Sequence, residues 1–174
     1  MTKRIENAID IFLDAINEGT LAKGTCTACA VGNLVAHGMG SKVVKENFLT
    51  TLRHYATKPN VPNYDWAYLF RTDSYGQQSV KPGLHKALAE DRYKNLRDAI
   101  EKIDFTIDEL RQIEYVFETN TELTYDVYKH RTKEEVRADQ IKGLEAVVKL
   151  MLTFDEQVDD VKEVFTTKAE AIPC

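Results

Sequence analysis

Residues 3–18 read Lys-Arg-Ile-Glu-Asn-Ala-Ile-Asp-Ile-Phe-Leu-Asp-Ala-Ile-Asn-Glu. Ile5, Ala8, Ile9, Phe12, Leu13 and Ile16 recur at the three- and four-residue spacing that gathers side chains on one helical face. Glu6, Asp10, Asp14 and Asn17 take the other side, and Gly19 stands where a left-handed cap ends a helix. The stretch predicts a surface helix with one buried stripe. A single stripe needs others to cover it, so the fold turns on what the rest of the chain supplies.

Outward from there, the same spacing returns. Residues 42–56 carry it through Val44, Phe48, Leu52 and Tyr55. Pro82 suits the first position of a further helix running through Leu84, Leu88, Leu96, Ala99, Ile100 and Ile103, with a kink or break near Asp91. Thr106-Ile107-Asp108-Glu109 and Thr132-Lys133-Glu134-Glu135 are both capping boxes, in which Thr and Glu each satisfy a backbone N–H of the other. The first box opens a helix with Leu110, Ile113 and Phe117 inward. The second opens the longest, with Ile141, Leu144, Val148, Met151 and Leu152 inward. Val158, Val161 and Phe165 predict a last helix before a frayed tail at 168–174. Strand alternation occurs once, in Tyr64-Asp65-Trp66-Ala67-Tyr68-Leu69-Phe70, where a short helix capped by Asn63 is the alternative. The expectation is a mainly α fold: a compact bundle of six or seven helices with at most one or two short strands, in one domain spanning 1–174.

Composition narrows the function. With 174 residues and a net charge of −5, the chain offers no basic field to draw nucleic acid. Lys129-His130-Arg131-Thr132-Lys133 is followed at once by Glu134 and Glu135, as in a solvated helix start. No run approaches the roughly 20 apolar residues of a membrane span. The first residues show no secretory leader, and three cysteines cannot all pair within one chain. These features predict a cytoplasmic protein with free thiols.

Chemistry-bearing residues concentrate in Gly24–Gly40, Gly-Thr-Cys-Thr-Ala-Cys-Ala-Val-Gly-Asn-Leu-Val-Ala-His-Gly-Met-Gly. A helix is expected from Thr25 or Thr27 to His37, capped by Thr25 and ended by Gly38 and Gly40. Its small face of Ala28, Cys29, Gly32 and Ala36 suits close packing against a neighbour. Cys26 and Cys29 form a Cys-x-x-Cys pair, with His37 beyond it. A structural zinc site needs a further ligand, which only Cys174 or another histidine could supply. A redox pair would expect a preceding strand. The Gly-x-Cys helix start also resembles that of papain-like and transglutaminase-like enzymes, which implies Cys26 as a nucleophile. That resemblance further implies a partner histidine on a sheet, and none of His54, His85 and His130 falls in a strand pattern.

Other constellations are sparse. No Glu-x-x-His of the dimetal bundles occurs. Glu114 and Glu118 sit beside the Leu110–Ile113–Phe117 stripe and read as solvated residues flanking it. Neither a phosphate loop nor a dinucleotide fingerprint is found. The aromatics Tyr64, Trp66, Tyr68 and Tyr75 are the candidate binding residues, since Tyr and Trp are enriched at interaction hot spots.

Cys-Ala-Val-Gly-Asn at 29–33 and Phe-Thr-Ile-Asp-Glu-Leu-Arg-Gln-Ile-Glu-Tyr-Val-Phe-Glu at 105–118 resemble segments of small uncharacterised bacterial and phage proteins. The resemblance implies an accessory protein and carries no activity. The resulting expectation is a non-enzymatic cytoplasmic protein acting through protein–protein binding or self-association. It needs no cofactor and engages neither nucleic acid nor membrane. The alternative is a cysteine-dependent enzyme using Cys26, or a metal or redox protein using Cys26, Cys29 and His37.

Overall fold

The stripe at residues 3–18 is buried as its spacing requires: Ile5, Ile9 and Phe12 are fully enclosed in α1 (Lys3–Glu18). Gly19 takes the left-handed conformation (φ 67°) and its N–H bonds back to Ala15 and Ile16. The computed structural model describes residues 1–24, 28–40, 43, 94–123 and 130–155. Among these, four further helices follow: α2 (Ala30–Gly38), α3 (Lys94–Ile103), α4 (Ile107–Asn120) and α5 (Lys133–Phe154). The fold is mainly α, and the described residues form five helices and no strand. The expected helices at 42–56 and 158–165, the start of the one at Pro82 and the pattern at 64–70 lie outside the described residues.

Local capping chemistry places α4 and α5. In each, the Thr hydroxyl accepts the N–H three residues on, at 3.2 Å, and the Glu carboxylate accepts the Thr N–H at 2.7 Å for Glu109 and 2.8 Å for Glu135. The two helices form the most extensive pairing, α2 lies on α3, and α1 spans α2 and α5. Phe117, Ile113, Leu144, Val148 and Met151 meet Phe12, Ile9 and Leu34 in one apolar cluster. Each fully buried aliphatic or aromatic side chain contributes about 1.5–3 kcal/mol, so this cluster carries the stability.

Two glycines set how closely helices cross. A Cβ on Gly38 would strike the Ala99 carbonyl of α3, and one on Gly143 would strike the Thr121 methyl and the Phe117 ring of α4. Gly38, which the sequence pattern marks only as a helix stop, is thus a point of close approach between α2 and α3.

A charged clasp joins the ends of the chain's described core. Arg4 donates to the Asp104 carbonyl at 2.8 Å, to both Glu109 oxygens at 3.0 and 3.2 Å, and to Asp155. Its guanidinium also lies 5.0 Å from the centre of the Phe105 ring. Asp155 additionally accepts from the Thr2 hydroxyl. Paired in this way, Asp155 is held below the ordinary aspartate range, chiefly by its hydrogen bond to Arg4.

Candidate functional site

The second helix starts later than its sequence predicts. Cys29, not Thr25, is the N-cap, and its sulfur accepts the Gly32 N–H at 3.3 Å. Sulfur is a weak acceptor, so this cap leaves the helix start short of partners. Asn33, one turn in, reinforces it. The buried amide donates to the carbonyls of Thr20, Ala28 and Cys29 at 3.2, 3.0 and 3.1 Å, folding the preceding loop onto the helix.

The missing partner comes from another helix. Glu114 of α4 is 5% exposed, and its carboxyl receives hydrogen bonds from the Val31 N–H and the Cys29 thiol. This corrects the expectation that Glu114 and Glu118 flank the core in solvent. Glu114 stands inside the stripe, and Glu118 is half-buried one turn further along. Gly24 donates its N–H to both Glu118 oxygens, at 3.0 and 3.2 Å, while the neighbouring Lys23 ammonium binds the Thr121 carbonyl.

Burial decides the protonation of this pair. Glu114 is pushed up to about 8, first by loss of hydration and then by the nearby Glu118 charge; the Cys29 and Val31 hydrogen bonds oppose the shift. Glu118 is also raised by burial, against the pull of the Gly24 N–H and Lys23. Glu114 therefore carries its proton at neutral pH. Its second oxygen, Oε2, is buried with no hydrogen-bond partner, a condition that costs about 1–3 kcal/mol.

The expected cysteine chemistry looks different against this geometry. Cys29 stands at the positive end of α2 but is 1% exposed and faces a carboxyl, so it lacks the access of a reactive thiol. His37 lies exposed at the far end of α2. Eight residues of helix rise separate the two by about 12 Å, too far to share an ion. Among the described residues no group of three His, Cys, Asp or Glu side chains is placed to hold a metal. Cys26, Tyr64, Trp66, Tyr68 and Tyr75 lie outside the described residues, as do Cys174, His54 and His85.

An outer feature lies between α1 and α2. A groove of about 240 Å³ is edged by Asn7, Asp10, Asp14 and Glu18 from α1 and by His37 from α2, over Ile11 and Ala15. The acidic side of α1, which the sequence assigns to solvent, thus forms one wall of a concave surface. Sequence reasoning had the signal in the four-residue spacing of Asp10, Asp14 and Glu18, but nothing in it placed α2 opposite. Comparison with protein-family models, curated proteins and solved structures gave no match.

Proposed function

We propose that the protein works by binding, and that the groove between α1 and α2 receives a segment of a protein partner bearing Lys or Arg side chains. The observation that carries this is a concave surface between α1 and α2 with the Asp14 carboxylate on its wall and Ile11 and Ala15 beneath; Asp10 and Glu18 on the same wall already take part in interactions of their own. Such a wall attracts cations over a distance and fixes their register, while Ile11 and Ala15 accept the methylene stems of Lys or Arg. The net charge of −5 acts in the same direction. The aromatics Tyr64, Trp66, Tyr68 and Tyr75 are proposed as a further partner contact on their sequence alone. The likeness of residues 29–33 and 105–118 to bacterial and phage segments supports an accessory role.

Titrating the isotope-labelled protein with an oligolysine peptide and with an oligoglutamate control tests this. Shifts confined to α1 and α2, weakened several-fold by salt and by Asp14→Asn, are expected. Equal affinity in Asp14→Asn would contradict the proposal.

A further inference from the structure

The groove leaves one feature unused: a buried carboxyl with an orphan oxygen at the start of α2. The buried faces of α1, α2, α3 and α5 bring no ionisable side chain to the core; the polar residues they bury are Asn33 and Gln140. Among the described residues the buried ionisable groups are Arg111 and Glu114 on α4 itself, together with the Cys29 thiol. Among the described residues, Glu118 on the same helix and Lys23 beside it also act on this seam. Glu114 Oε2 has no partner with which to stabilise a full negative charge, and Glu118 one turn away repels one. A proton on Glu114 is thus part of the closed structure.

We propose that the seam between α2 and α4 is a proton-locked joint, whose opening at the first turn of α2 releases the Glu114 proton to solvent and uncovers the Cys29 thiol. When closed, the Val31 N–H and the thiol bond to the Glu114 carboxyl, and the Gly32 N–H bonds to the sulfur. On opening, the carboxyl reaches water and ionises, and the thiol reaches water with it. Each unit of rising pH then favours the open joint, because the open form holds one proton fewer. The joint does not depend on what the groove binds.

Amide hydrogen exchange reads the joint directly. The protection factors of Val31 and Gly32, each taken against the intrinsic rate at the same pH, should fall up to about tenfold per pH unit between about pH 5 and 8, the slope of one released proton. They should level off above that window and stay below the protection of Val148 in the α5 core. Glu114→Gln, which cannot ionise, should abolish the slope, while Glu118→Gln should keep it. A flat wild-type profile would overturn the joint, whether or not the Gln variant folds. So would exchange of Val31 and Gly32 that tracks Val148 at every pH, since only global unfolding would then expose them.

Discussion

The starts of α4 and α5 differ from the start of α2, and the difference separates local from distant control of this fold. Thr106 and Thr132 cap their own helices with the help of a Glu three residues on. Everything each start needs lies within four consecutive residues. Helix α2 has only a sulfur at its N-cap and takes its second acceptor from Glu114, on a helix far along the chain. Its other end is likewise set from outside, by the approach of Gly38 to Ala99. Two helices are self-contained, and one is held in place by its neighbours.

Substitutions that strike the borrowed cap should therefore exceed those that strike the local ones. Glu114→Lys places a cation against the positive end of α2 in a buried site. A loss of about 3–5 kcal/mol is expected in denaturant melts, as for other uncompensated buried charges. At the other end, Gly38→Ala forces a methyl group onto the Ala99 backbone, which has no side-chain rotamer with which to yield. That change should cost about 1–3 kcal/mol. Thr132→Ala removes an exposed cap whose loss water partly repairs, with about 1 kcal/mol expected. If Thr132→Ala were the most damaging of the three, the distinction between local and borrowed capping would fail.

Much of this contrast was open to reading and part of it was not. The stripe of α1, its stop at Gly19 and both Thr boxes depend on neighbours within a turn, and all of them formed as their spacing predicts. By propensity Thr25 is the better cap for α2, whereas Cys29 takes the position because of what packs on it. Glu114 had a positional signal that its charge obscured. Residues 110, 113, 114 and 117 follow the i, i+3, i+4, i+7 pattern, so the position lies within the stripe. A carboxylate there reads as a flanking residue unless a helix N-terminus and a thiol are known to face it. Nothing local in the sequence brings residues 29–31 to residue 114. The groove is similar: the carboxylate row of α1 is visible, but its concave setting depends on where α2 lies.

The acid and alkaline sides of the stability curve sharpen the comparison further. Glu114 titrates near 4.5 when unfolded and about 8 when folded. Between these values the folded state holds a proton that the unfolded state lacks, so stability falls as pH rises through this window, by at most about 1.4 kcal/mol per unit for one proton. Glu118, also raised, adds to the fall. Asp155 acts oppositely: it is lowered by Arg4, so its contribution is present above the ordinary aspartate range and lost as pH falls. Urea melts from pH 5 to 9 should show Glu114→Gln gaining on wild type with rising pH and levelling beyond about pH 8. A constant difference across that range would contradict the linkage.

The most direct measurement is the carboxyl carbon-13 titration of Glu114 in the folded protein, assigned through Glu114→Gln. A carboxyl that keeps its proton through pH 6 and titrates near 8 is the predicted result. A midpoint near 4.5, the ordinary value for glutamate, would contradict a carboxyl held neutral by its burial between α2 and α4.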